Sequence, residues 1–355
     1  MTKKKVRTIA FYLPQFYPTP ENDKWWGNGF TEWTNVGKAK PLFKGHYQPR
    51  VPADLGYYDL RIPEVRERQA ELAREAGIEG FCYWHYWFAG RRLLDRVFTE
   101  VVESGHPDYP FCLCWANHSW YKKTWDTTKS DTLLMEQTYP GKEDFIAHFN
   151  AMLPAFKDKR YMKVGGKLIF GIFDADSITE FPLMKEIWNE LALENGLPGF
   201  FFFGFSQGKH RLPVARGRGF DAVVYEHSQT VVRAAKATLW HRFTRLFHIP
   251  VLVEYSKYMR DALGFFKSNP DLIPCILPNY DHSPRSKNRG TILINNTPQK
   301  WYEYCKEVRK IVESSKENEP LVFIQAWNEW GEGNYLEPDL KFGKKYIEET
   351  KKAFS

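Results

Sequence analysis

The stretch "PLVFIQAWNEWGEGNYLEPD", residues 320–339, runs from an apolar segment into two acids three positions apart, Glu329 and Glu332, with Trp327 and Trp330 around them. Its first part, "PLVFIQAW" (320–327), is short, β-branched and aromatic without polar alternation, the pattern of a strand buried on both faces. Seven similar runs precede it: "RTIAFYL" (7–13), "IEGFCYW" (78–84), "PFCLCWA" (110–116), "KLIFGIF" (167–173), "GFFFFGF" (199–205), "FDAVVYE" (220–226) and "IPCILPN" (273–279). Helix-like segments lie between them. "IPEVRERQAELAREAG" (62–77) has Pro63 in its first turn and Gly77 at its end, and in "TPQKWYEYCKEVRKIVESS" (297–315) Thr297 is placed to cap a helix beginning at Pro298.

Continuously apolar strands joined by helical crossovers imply a parallel sheet covered on both faces, and eight repeats suggest closure. The expected class is α/β, a single (β/α)8 TIM-type barrel over residues 1–355, with an open doubly wound sheet as the runner-up. No linker rich in Gly, Ser or Pro and no low-complexity tract interrupts the 355 residues, so one domain is the simpler reading. Two long βα loops, 14–61 after strand 1 and 227–272 after strand 6, fall on the side where barrel enzymes keep their sites.

Composition narrows the function. Aromatic residues make up 17% of the chain, with 13 Trp and 19 Tyr, more than core packing asks, so some rings are expected to line a ligand surface. The net charge of +7 is spread along the chain, a weak signal for anionic partners and none for nucleic acid. Cys82, Cys112, Cys114, Cys275 and Cys305 have no zinc-like spacing and read as reduced core thiols. The basic start "MTKKKVRTIAFYLPQF" lacks a cleavage site, and no run has the roughly 20 apolar residues of a membrane span. The expectation is a cytoplasmic protein without cofactor or metal.

In a barrel, residues at the strand ends converge on one mouth. Strand 1 and its loop bring Gln15, Trp26, Glu32 and Trp33; strand 2 brings Tyr83, His85 and Trp87; strand 3 brings Trp115, Asn117, His118 and Trp120. Strand 6 adds Glu226, strand 7 Tyr280 and Asp281, and strand 8 Trp327, Asn328, Glu329, Trp330 and Glu332. Aromatics, amides and carboxylates in this mixture suit a carbohydrate, with rings stacking on sugar faces. Two carboxyls beside a glycosidic bond can act as acid and base, or as acid and nucleophile. Two acids three apart on a solvated helix face are the competing reading, which the buried strand and flanking indoles disfavour.

Four blocks in order, "AFYLPQFYPTPENDKWWGNGFTEWTNV", "GFCYWHYWFAGRRLLDRV", "PFCLCWANHSWYKKTWD" and "AWNEWGEGNYLEPD", resemble the WbsX-like group of bacterial proteins, related to glycoside hydrolase family 99 and its endo-acting α-mannosidases. The resemblance covers nearly the whole chain. It implies a retaining mechanism through a 1,2-anhydro sugar, with Glu329 as base on the substrate's 2-hydroxyl and Glu332 as acid and then base. Such a donor needs a raised pKa, and Trp327 and Trp330 are candidate causes. The block after strand 3 usually reads Asn-Glu-Asn-Trp in that group, whereas this chain has Asn117, His118, Ser119 and Trp120. His118 therefore either alters the charge preference of the site or points away from it.

WbsX-like proteins accompany polysaccharide and O-antigen biosynthesis and are often labelled glycosyltransferases, so glycosyl transfer in cell-surface polysaccharide synthesis is the alternative. One local feature favours it: Asp174 and Asp176 form an Asp-x-Asp able to hold a divalent metal on a nucleotide sugar. A non-catalytic glycan-binding barrel is a third reading, against which the retained acid pair argues. The expected partner is an oligo- or polysaccharide. The basic segment 231–248, with Arg233, Lys236, Arg242 and Arg245, suits either peripheral contact with a membrane or lipid-linked glycan, or packing over the barrel mouth. Arg285 and Arg289 suit either a phosphate or uronate, or an exposed basic loop.

Overall fold

The computed structural model describes residues 5–122, 131–239 and 249–355. All eight apolar runs form strands: β1 (Arg7–Tyr12), β2 (Gly80–His85), β3 (Phe111–Trp115), β4 (Lys167–Ile172), β5 (Phe200–Gln207), β6 (Ala222–Glu226), β7 (Ile273–Ile276) and β8 (Leu321–Ile324). Each pairs in parallel with the next, and β8 pairs with β1, so the barrel is closed. Helices cross over between the strands. Pro63–Glu75 follows β1, Lys142–Phe156 follows β3, and Pro298–Glu313, capped by the Thr297 side chain, leads into β8.

Because both faces of each strand are buried, side chains alternate between two apolar environments. Inside the barrel Phe11 stacks on Trp84 at 4.4 Å and meets Phe205 and Phe323. Outside, Phe170, Phe200 and Trp188 pack between strands and helices. Gly171 lies opposite Phe203, whose ring would be 2.2 Å from a Cβ there, so glycine leaves room for the aromatic layer. The five cysteines are buried free thiols within this core.

The loops above the C-terminal strand ends are longer than the crossovers beneath. The loop after β1 contains two short helices, Pro20–Trp26 and Glu32–Gly37, while the loop after β3 contains the hairpin of Trp120–Lys122 and Thr132–Met135. The loop after β7 is also long, which the strand count did not indicate. Its strand Thr291–Ile294 pairs in parallel with Val251–Glu254 from the loop after β6, so two insertions form a small sheet beside the mouth. Among the described residues no helix is long and apolar enough to cross a membrane.

Candidate active site

The acid pair stands on a short hairpin directly beyond β8, in which Asn328–Glu329 pairs antiparallel with Asn334–Tyr335. Its intervening turn, Trp330–Glu332, ends at Gly333 with φ 54°, a conformation glycine adopts without a Cβ clash. Asn328 fixes the hairpin to the first strand: its Oδ1 accepts from Leu13 N at 2.8 Å and its Nδ2 donates to Leu13 O at 3.0 Å. Trp330 stacks on Tyr335 at 3.7 Å and donates its Nε1–H to Glu337 at 2.6 Å. Tyr58 and Gln69 also donate to Glu337, whose carboxyl burial pushes up to about 7 despite these donors. The hairpin is thus held from behind by buried polar contacts, leaving its acids to face forward.

In front, one guanidinium engages three carboxylates. Arg285 donates from Nε to Glu32 at 3.1 Å, from Nη1 to Glu332 Oε1 at 2.5 Å and from Nη2 to Glu329 Oε1 at 3.0 Å. Gly331 makes this arrangement possible, since a Cβ at that position would be 2.0 Å from Glu32 Oε2 and 3.0 Å from Arg285 Nε. Burial, followed by the Glu332 charge, pushes the Glu329 carboxyl well above the usual carboxylate range, against the opposing pull of Arg285. The Arg285 bonds to the pair both end on Oε1. A single guanidinium spans the two acids, which keeps the two carboxyls together in one cavity lining.

The pair opens into a cavity of about 390 Å³ at the barrel mouth. Trp84, Tyr86, Trp120, Phe173 and Tyr280 supply its aromatic surface, and Gln15, Gln207, Gln229, Gln325 and Asn334 supply amides. Glu226 lines the far side. It accepts from Ser228 N and Ser228 Oγ, each at 2.6 Å, and burial pushes its carboxyl up to about 7. His118 points into the cavity beside Phe173; burial lowers its pKa, ahead of the opposing effect of Asp174, so the imidazole is neutral at pH 7.

Of the residues expected at the mouth, Gln15, Glu32, His118, Trp120, Glu226, Tyr280, Glu329 and Glu332 line this cavity. The others require correction. Tyr83, His85, Trp87 and Trp115 face the helix layer: Tyr83 packs on Tyr12 and Phe98, while His85 meets His148 Nε2 to Nε2 at 2.7 Å. Trp87 stacks on His148, and Trp115 donates to Trp87 O. Burial lowers His85 to about 3, so this histidine pair is neutral and structural. The neighbours one position along, Trp84 and Tyr86, occupy the cavity instead, because a shift of one residue changes the face of a strand.

Asn117 joins two loops, donating to Asp174 O and accepting from Asp174 N. Trp33 packs behind the motif against Trp330 and donates to Tyr58 O, and Trp327 is buried against Phe81. Trp26 is 42% exposed and packs on Phe30, outside the cavity. Asp281 anchors the loop after β1. Although burial works to raise it, hydrogen bonds from His46, Ser283 and Gln48 and the Arg50 charge hold it down at about 2. The indoles expected to tune the acid pair turn toward Glu337 or the core, and burial of the carboxyl itself raises Glu329.

Arg285 is engaged with the chain's own carboxylates, and Arg211 pairs with both Asp174 and Asp176, which occupies the Asp-x-Asp motif. Among the described residues no cluster of three or more His, Cys, Asp or Glu is arranged to hold a metal. The helix Ser228–Lys236 buries Val231 and Val232 and exposes Arg233 and Lys236, so its apolar side faces the protein. Arg242 and Arg245 lie outside the described residues.

The family model described as "Glycosyltransferase WbsX" matches residues 8–350. In two strains of Xanthomonas campestris pv. campestris, a protein named uncharacterized protein WxcX is 36% identical over 350 residues, 98% of this chain and 49% of the relative. The chain spans about half the length of these curated relatives. A solved glycoside hydrolase-like protein aligns with a TM-score of 0.65 at 14% identity, over 100% of this chain and 95% of its own. The GH99 endo-alpha-mannosidase from Bacteroides thetaiotaomicron, solved with bis-tris-propane, aligns with a TM-score of 0.58 at 15% identity, over 98% and 95% of the two chains. At these identities the likeness is one of fold.

Proposed function

This chain belongs to the WbsX family, and from that premise we propose that it is a retaining glycoside hydrolase acting on a bacterial polysaccharide or O-antigen-type glycan. One observation carries the reading: Glu329 and Glu332 are both bound through Oε1 by one guanidinium just beyond the eighth barrel strand, and both line an aromatic cavity. A glycosyl unit seated on those rings places its anomeric carbon and 2-hydroxyl before the pair.

In the first step Glu329 takes the 2-hydroxyl proton, the 2-oxygen closes on the anomeric carbon, and Glu332 protonates the departing oxygen. In the second, Glu332 removes a proton from water, which opens the 1,2-anhydro ring, and Glu329 returns a proton to the 2-oxygen. Burial raises the proton affinity of Glu329, which makes its ionised form a strong base for a hydroxyl.

The family description favours a second reading, a glycosyltransferase in cell-surface polysaccharide synthesis. The pairing of Asp174 and Asp176 with Arg211 gives that reading no local support. The test is release of reducing ends from a panel of O-antigen and capsular polysaccharides by the wild type and by Glu329→Gln and Glu332→Gln. Loss of about 100-fold or more in either variant supports the mechanism. Unchanged turnover in both defeats it, and product formation only with added nucleotide sugar selects the transferase.

A further inference from the structure

We propose that the glycosyl unit held over the acid pair carries no anionic group, so that uronates, phosphorylated sugars and nucleoside diphosphate sugars are excluded from this cavity. The inference deepens the hydrolase reading and rests on it. Among the described residues four carboxyl side chains line the cavity, Glu32, Glu226, Glu329 and Glu332, and Arg285 is the only Lys or Arg in its lining. The described lining thus holds more carboxyl groups than cationic ones.

The charge of Arg285 is already opposed by the chain's own acids, because each of its three nitrogens donates to a glutamate. His118 adds no positive charge, since burial keeps its imidazole neutral at pH 7. The helix Ser228–Lys236 starts at the cavity wall, and an open helix N-terminus attracts phosphate. Here Ser228 N, in the first turn, already donates to the Glu226 carboxyl at 2.6 Å. The chain's own acid occupies the place an incoming anion would take.

The remaining polar lining is suited to uncharged groups. Gln15, Gln207, Gln229, Gln325 and Asn334 offer both donors and acceptors, which match hydroxyl and acetamido substituents, and the aromatic rings take the apolar faces of a pyranose. Like charges placed together at close range are strongly unfavourable.

Two measurements on the full chain test the proposal. Calorimetric titration with UDP, GDP, dTDP and inorganic phosphate is expected to give no saturable binding. Cleavage of bacterial polysaccharides of defined repeat is expected to fall only at uncharged units, with acidic units cut at least about 100-fold more slowly. Nucleotide binding that Trp120→Ala abolishes, or cleavage at a uronate or phosphorylated unit, would overturn the proposal. If such cleavage still disappears in Glu332→Gln, the hydrolase reading survives that failure. If no polysaccharide is cut and no nucleotide binds, the hydrolase reading itself is overturned, and this inference with it.

Discussion

Replacing Gly331 with alanine would place a methyl carbon 2.0 Å from Glu32 Oε2 and 3.0 Å from Arg285 Nε. The backbone at Gly331 is outside the left-handed region, so the penalty is steric and not conformational. Glu32 cannot step aside freely: its side chain is 5% exposed and Nη2 of Arg285 holds it at 3.0 Å. Fully separating a buried pair costs about 3–5 kcal/mol and overpacking about 1–3. Arg285, being 24% exposed, regains some water when the pair opens. The expected loss is therefore about 2–3 kcal/mol. Denaturant unfolding of Gly331→Ala, Glu32→Ala and the double variant isolates the cause. With the carboxylate gone, the added methyl still meets Arg285 Nε at 3.0 Å, but this lies on a flexible side chain that can give, so Gly331→Ala is expected to cost less than about 1 kcal/mol in the Glu32→Ala background, a coupling of about 1–2. Additive losses would refute the claim that glycine is required to admit the Glu32–Arg285 pair.

Three further outcomes are expected. Asp281 is held at about 2, below its usual 3.8, so its stabilisation is present above about pH 4 and is lost as pH falls through 2. Asp281→Asn should flatten the acid limb of the unfolding curve by about 2 kcal/mol, and an unaltered limb would show that the His46 and Arg50 contacts contribute nothing. Glu226 has the opposite sign: raised from 4.5 to about 7, it costs stability as pH rises between those values. Glu226→Gln, able to bond Ser228 in the same place, should gain on the wild type by about 3 kcal/mol from pH 4 to pH 8, and equal pH slopes would contradict this. Trp120→Ala should raise the KM for a cleaved glycan about tenfold with a smaller change in kcat, and an unchanged KM would remove Trp120 from the sugar-stacking surface.

The fold was legible because each barrel strand is a continuous apolar run bounded by helix caps, and the parallel pairing of all eight follows from that rhythm. The same continuity hid the inward face. In a half-buried strand polar residues mark the outer side, but Tyr83, Trp84, His85 and Tyr86 are all buried, so nothing in their order separates cavity from helix layer. Beyond the strands, the motif at Glu329 and Glu332 was readable from its acids, glycines and indoles. The role of Arg285 was not, since its three partners come from segments 253, 44 and 47 residues away. Asp281 and Trp330 looked like ligand residues because anchoring a reactive loop draws on the same polar and aromatic side chains as binding a sugar.

The division of labour along β2 and the loops beyond β2 and β3 also bears on how such a protein diversifies. Trp84, Tyr86 and His118 face the cavity, while Tyr83, His85 and Trp115 hold the helix layer. Substitutions at the first set change what the mouth accepts and leave the helix packing intact. Duplicated copies of this barrel are therefore free to drift toward different ligands by point mutation, with the Glu32–Arg285–Glu332 cluster inherited unchanged.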